Sequence, residues 1–214
     1  MILHSRADQM LATCASALAG FVDAIAFIAL GGFFVSFMSG NTTRLAVDLV
    51  SGTTAAAAAA GLIATFVAGV VAGSLVGRMC SAWRRSAVFA LVAALLALAA
   101  GLSAAGGIAA AAVAMALAMG AENAVFETDG EVRIGLTYMT GTLVKLGQRA
   151  TAAILGGDPL GWLPYLLLWL GLATGGFVGA LTFAWIGTGG LWIAAGGAVA
   201  LAIAAAPTAD RSVP

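Results

Sequence analysis

The chain has 214 residues, of which 62% are hydrophobic and only 8% charged, with a formal net charge of zero. Soluble domains carry roughly 25% charged residues, and balanced charge offers no basic surface to nucleic acid. Composition therefore excludes an ordinary water-soluble domain and a nucleic-acid-binding module, and it predicts a helical protein of the lipid bilayer.

In chain order, His4, Arg6 and Asp8 precede a first apolar segment, Met10–Leu30. That segment contains Asp23, so it lacks a cleavable signal pattern and is expected to be a retained helix that also targets the protein. Asp23 is the only charge between Asp8 and Arg44. A carboxylate inside a span is costly and reads as functional by default; the plainer alternative is an Asp near a helix end that touches water or caps a neighbour. The second segment, Ser39–Ser51, opens with Ser39-Gly40-Asn41-Thr42-Thr43. This reads as a helix start, because Ser, Asn and Thr cap helices and Gly lets the backbone turn tightly. Arg44 and Asp48 follow, four apart on one helical face. The segment is too short and too charged for an ordinary span. The third, Ala56–Gly77, carries Gly69, Gly73 and Gly77 on one face, a stripe that permits close helix approach. Arg78, Arg84 and Arg85, with Trp83 as an interfacial anchor, crowd the turn before the fourth segment, Ala87–Leu102.

The same four characters then return. Ile108–Phe126 contains Glu122 and Asn123, and is followed by a charged loop of Glu127, Asp129, Glu131 and Arg133 that is expected to be a solvated turn. Thr140–Leu155 opens with Thr140-Gly141-Thr142 and carries Lys145 and Arg149. Leu160–Trp185 carries Gly171, Gly175 and Gly179, and Gly190–Ala206 completes the set before a short tail, Pro207–Pro214, expected to be disordered. Gly20-Phe21-Val22-Asp23-Ala24 matches Gly120-Ala121-Glu122-Asn123-Ala124 at an offset of 100 residues. Phe37-Met38-Ser39-Gly40-Asn41 matches Tyr138-Met139-Thr140-Gly141-Thr142 at 101, and the glycine stripes match at 102. Three landmarks in one order predict a duplicated unit, residues 1–104 and 105–214. Duplication in an apolar chain marks secondary transporters and places a site between the halves.

Two topologies compete. If the second segments do not cross, each repeat has three spans and the second repeat is inverted; if they cross, each has four and the repeats are parallel. The arginine-rich turn is expected to be cytoplasmic. The three-span model then puts Arg6, Arg133, Lys145, Arg149 and Arg211 on that side, leaving only Arg44 outside. Charge thus favours an all-α, internally duplicated bundle with inverted three-plus-three spans, both termini cytoplasmic, and a short broken or re-entrant helix in each repeat.

A helix that starts within the membrane points unpaired N–H groups and a positive dipole end at whatever precedes it, which makes a cradle for anions. The candidate substrate- or ion-binding residues are therefore Asp23, Ser39, Gly40, Asn41, Thr42 and Arg44, with Asn123, Thr140, Gly141, Thr142 and Lys145 as counterparts. They are expected to line one polar cavity between the repeats. Lys145 and Arg149 read equally well as headgroup anchors, because long basic side chains snorkel. Cys14 and Cys80 lack metal-ligand spacing and are expected to be small core residues; no metal or cofactor is expected. His4 is the only histidine, and no Ser/His pairing falls within the spans, so an enzyme is not expected.

The pieces around Asp23, the run Gly32-Phe33-Phe34-Val35-Ser36-Phe37-Met38-Ser39-Gly40-Asn41-Thr42-Thr43, and the pieces Glu122-Asn123-Ala124-Val125-Phe126 and Thr137-Tyr138-Met139-Thr140-Gly141-Thr142-Leu143 resemble the YoaK-like family. This is a domain-of-unknown-function group of bacterial inner-membrane proteins. The resemblance implies a bacterial multi-span protein and supplies no substrate. Function rests on the residues, which fit a small transporter or permease for an anionic or zwitterionic solute, with Asp23 as a proton carrier. A channel-like pore with the same symmetry and a structural or assembly protein remain the alternatives. The glycine stripes are expected to join the two repeats first, and a homodimer second.

Overall fold

The computed structural model describes residues 6–128, 131–132 and 136–206. His4, Asp129, Arg133 and the 207–214 tail with Arg211 lie outside them. Among the described residues eight α-helices follow one another: α1 (Arg6–Ala29), α2 (Met38–Val50), α3 (Ala55–Met79), α4 (Arg84–Ala104), α5 (Ile108–Glu122), α6 (Met139–Ile154), α7 (Leu163–Ile186) and α8 (Gly190–Ala204). Between α5 and α6 a two-residue-per-strand antiparallel hairpin pairs β1 (Glu127–Thr128) with β2 (Glu131–Val132). The local causes are visible at the ends. Gly31 and Gly32 adopt φ of 65° and 96° and stop α1, a conformation that side chains with a Cβ avoid. Pro164 sits in the first turn of α7, where its missing N–H costs nothing.

Among the described residues, four stretches are long and apolar enough to cross a bilayer: Arg6–Ala29, Ala55–Met79, Ser81–Ala104 and Leu163–Ala204, the last comprising α7 and α8. Apolar α5 has 15 residues, as has α8, which at 1.5 Å each gives about 22 Å against a hydrocarbon core of about 30 Å. The expectation of six full-length spans therefore meets two short helices. The turn at 105–107 sets the start of α5, and the polar pair Glu122-Asn123 its end. The outer faces expose Val67, Val71 and Leu75 on α3 and Phe177, Val178 and Trp185 on α7. Such a surface is unsuited to water and matches lipid. Cys14 and Cys80 are exposed, not in the core as expected: Cys14 points away from the buried face of α1, and Cys80 lies in the turn after α3.

Helix pairing is reciprocal. α1 packs most extensively on α7, and α3 on α5; α4 packs on α5 and on α8, and α1 on α8. The glycine stripes make the first two contacts possible. A Cβ on Gly73 would stand 2.6 Å from the Ala121 carbonyl oxygen of α5, and one on Gly171 2.6 Å from the Thr13 carbonyl oxygen of α1. Gly69 faces Leu117 in the same way, and Gly175 and Gly179 face Ala17 and Phe21. Gly77 differs, since it accommodates the Arg84 side chain. Both stripes are buried inside the chain, which occupies the surface expected for a homodimer contact. Gly20 and Gly120 return the contact, against Leu172 of α7 and Phe66 of α3. The core between them is alanine-rich, so helices close to short distances and dispersion replaces the hydrophobic drive that lipid does not supply.

Ion pairs gather one end of the bundle. Arg85 at the start of α4 pairs with Asp8 at the start of α1. Arg84 of α4 and Arg78 at the end of α3 reach Glu127, just past α5, at 3.1 and 3.5 Å. Ser103 at the far end of α4 donates to Thr188 between α7 and α8 at 2.7 Å. So α1 and α4 run one way, and α3 and α5 the other. Glu127 is buried, which corrects its reading as part of a solvated turn: it ties three segments together. The Ser74 hydroxyl donates to it at 2.6 Å. That bond, followed by the Arg84 and Arg78 charges, holds its carboxyl below the ordinary carboxylate range against the opposing cost of burial. A folded value below the unfolded one gives stability that is complete above the unfolded range and lost as pH falls through the folded value. Melting temperature followed against pH in detergent should fall at acid pH in the wild type. In Glu127→Gln it should start lower at neutral pH and show a flatter acid limb.

Candidate functional site

Membrane-embedded backbone that is neither helix nor sheet must find its partners inside the protein. The segment 31–37, between α1 and α2, is neither helix nor sheet, and three of the predicted site residues serve its backbone. Asp23, on α1, accepts from the Val35 N–H at 2.7 Å, the Ser36 N–H at 2.9 Å and the Ser36 hydroxyl at 2.7 Å. Asn41, on α2 and fully buried, accepts from the Phe34 N–H at 3.0 Å and donates to the Phe34 carbonyl at 2.7 Å, completing both halves of a backbone pair. Arg44 donates to the carbonyls of Gly31 and Gly32 at 3.1 and 2.7 Å. Its guanidinium lies 4.0 Å over the Phe33 ring and 4.0 Å from Asp48 on the next turn. These side chains form a scaffold that fixes where α2 begins.

The second half builds a thinner version. Asn123, just past α5, accepts from the Thr137 hydroxyl at 3.2 Å and donates to the Met119 carbonyl at 2.9 Å. Thr142 bonds back to the Tyr138 carbonyl at 3.2 Å, and Thr42 likewise to Met38 at 2.8 Å. Lys145 and Arg149 are exposed on α6.

The duplicated polar motifs do start helices, but neither helix is capped by a side chain. Phe37 and Tyr138 hold the cap positions, and Ser39, Asn41, Thr140 and Thr142 fall within the first turn. Asn41 spends its amide on the Phe34 backbone, and Thr42 and Thr142 bond back to carbonyls four residues earlier at the start of their own helices. The first-turn N–H groups are thus left with short-range turn bonds and the positive end of each helix dipole.

The two starts face each other. A cavity of about 570 Å³ is lined by Asp23, Phe27, Phe34 and Ser36 from one side and Thr137, Met139 and Thr140 from the other, with α7 as a wall at Leu172 and Gly176. A neighbouring cavity of about 300 Å³ shares Ser36, Phe37, Thr137, Met139 and Thr140 and adds Ser39 and Gly141. Of the predicted residues, Asp23, Ser39, Thr140 and Gly141 line this space. Gly40, Asn41, Thr42, Arg44, Asn123, Thr142 and Lys145 are not among its lining residues. Sequence reading passes over Ser36 and Thr137, whose sign is their position immediately before each duplicated helix start. A larger groove of about 730 Å³ between α4 and α8 is walled mainly by alanines and offers little to orient a polar solute.

No solved structure matches the chain. It is 38% identical over 203 residues to the UPF0700 transmembrane protein RA0705 of Rhizobium meliloti (strain 1021), an alignment that spans 94% of this chain and 88% of that protein. Residues 11–204 match the family model described as Protein of unknown function (DUF1275). The apolar helices, the internally satisfied backbone and these two matches together establish that the chain is a membrane protein belonging to the DUF1275 family.

Proposed function

We propose that the chain is a multi-pass permease of the bacterial inner membrane for a small anionic or zwitterionic solute, close to the YoaK-like group. In this reading it is built from two inverted repeats, 1–104 and 105–214, of three spans each. α2 and α6 come in from opposite faces and meet start to start between the repeats. The observation that carries the proposal is the shared cavity, lined by residues 36–39 and 137–141 from the two uncapped helix starts. Two positive dipole ends aimed at one space favour negative charge there, and broken helices of this sort build substrate sites in several transporter folds. The opposed directions of α1 and α5, and the exchange by which α1 pairs with α7 and α3 with α5, support inversion. The arginine-rich end is cytoplasmic in this arrangement. Transport proceeds by rocking one repeat against the other, with no enzymatic step and no cofactor. Asp23 positions the start of α2.

A thermal-shift screen of the purified protein against small anions, amino acids and nucleobases tests the reading, since a ligand that binds only the folded state raises its stability. Thr140 is exposed to both cavities, so Thr140→Trp should fold normally and lose ligand stabilisation. Its uptake in proteoliposomes should fall at least about tenfold, the consequence of filling the site. Uptake that does not saturate would favour the channel-like pore. Absence of any stabilising solute, with Thr140→Trp fully functional in the cell, would favour a structural or assembly role.

A further inference from the structure

Glu122 is the one carboxylate among the described residues with both side-chain oxygens buried and without a hydrogen-bond partner. Its exposure is 0%. It occupies the last turn of α5, which packs against α3, α4 and α1. The charged groups those helices bring to this end are already engaged. Arg78 of α3 and Arg84 of α4 hold Glu127, and Arg85 of α4 holds Asp8 of α1. Asp23, toward the other end of α1, holds Val35 and Ser36, while Arg6 and Cys14 of α1 are exposed. The residue one hundred positions earlier is Val22, also fully buried, so a hydrocarbon side chain suits the equivalent helix position and packing alone gives no reason for an acid. Two further atoms at the start of α4, the helix against which α5 packs, are buried without a partner: Arg84 Nε and Ser86 Oγ. Orphaned polar atoms of this kind call for an explanation beyond packing.

We propose that Glu122 is a proton-binding site of this chain. An enclosed, unpartnered carboxylate is not tolerated as an ion in apolar surroundings, and a proton removes the charge. On uptake, an O–H bond forms on one carboxylate oxygen with a proton drawn from water at the arginine-rich end. On release, that bond breaks and the proton returns to water when α5 parts from α3 and α4. Nothing else is exchanged. The coupling of this proton to solute movement rests on the permease reading; the binding of the proton does not. The assignment moves the proton from Asp23, whose oxygens are occupied by three donors, to a carboxyl whose oxygens are not.

Infrared difference spectroscopy of the full chain in liposomes, stepped from acid to alkaline pH, tests the proposal. The expected result is a protonated-carboxyl band that moves when the three glutamates are isotopically labelled. The band persists in Asp23→Asn and Glu127→Gln and is lost in Glu122→Gln and Glu122→Met. If both Glu122 variants fail to fold, the labelled-glutamate band in the Glu127→Gln/Glu131→Gln double variant, whose one glutamate is Glu122, decides. No such band at any pH, a band insensitive to glutamate labelling, or a band retained in Glu122→Gln overturns the assignment. Loss of the band in Glu122→Gln, combined with no solute uptake by the wild type, keeps the proton site and removes the permease reading.

Discussion

Asp23→Leu should destabilise the protein by roughly 3–5 kcal/mol, because it strands two backbone N–H groups and a hydroxyl at about 1–3 kcal/mol per buried unsatisfied donor. Val35, Ser36 and the start of α2 lose the acceptor that places them, so the cavity should lose its shape along with its anchor. Asp23→Asn keeps one carbonyl oxygen where Oδ1 now receives both backbone N–H groups, and its amide can donate to the Ser36 hydroxyl. It should cost no more than about 1–2 kcal/mol, one hydrogen-bond rearrangement. Reversible unfolding in mixed micelles reads both values. Equal stability of Asp23→Leu and wild type would show that the 31–37 segment stands without its carboxylate.

The second large effect is expected where the backbones of α1 and α7 touch. An added methyl at Gly175 would fall on the Ala17 carbonyl oxygen, and no rotamer change can move a main-chain atom aside. Gly175→Ala should cost about 2–3 kcal/mol, the upper part of the overpacking range, and Gly175→Leu should prevent assembly. Gly61→Ala and Gly101→Ala are the comparison, since a Cβ at either position meets open space. Those two should be neutral or gain up to about 1 kcal/mol from the better helix former. Melting temperatures of the four variants measure the difference. If Gly175→Ala melts like Gly61→Ala, the α1–α7 contact is looser than the stripe implies.

Much of this architecture can be read in advance because lipid leaves few options. Long apolar runs locate α1, α3 and α4, and the doubled glycine spacing marks the faces where helices meet. The two helix starts are legible to within about two residues from Gly40 and Gly141. What composition does not convey is where polar side chains spend their hydrogen bonds. Asn41 and Arg44 look like ligand groups in a sequence, because a buried amide and a guanidinium in apolar surroundings are expensive. Their partners turn out to be the carbonyls and N–H of 31–34, a demand created by the backbone of Gly31 and Gly32, which no side-chain pattern announces. Glu127 misleads for a related reason: its ion pairs join residues 49 and 43 positions apart, Arg78 and Arg84, and local charge density reads as a solvated loop. Glu122 stands out in the sequence only as a neighbour of Asn123, since one position of helix rotation decides whether a side chain meets a cavity or the core.

The exchanged pairing of helices bears on how the chain is made. Ala17 on α1 waits for Gly175 on α7, so 158 residues must be synthesised before the most extensive contact in the bundle can close. At about 5–20 residues per second that delay is roughly 8–30 s. During it α1 remains in the bilayer with the surface meant for α7 facing lipid or whatever insertion factor shields it. α3 waits a shorter time, from Gly73 to Ala121. The nascent protein therefore matures from its middle outward, with the α3–α5 pair set before the first and seventh helices find each other. Translation pauses late in the chain prolong the interval in which α1 is most exposed to quality control.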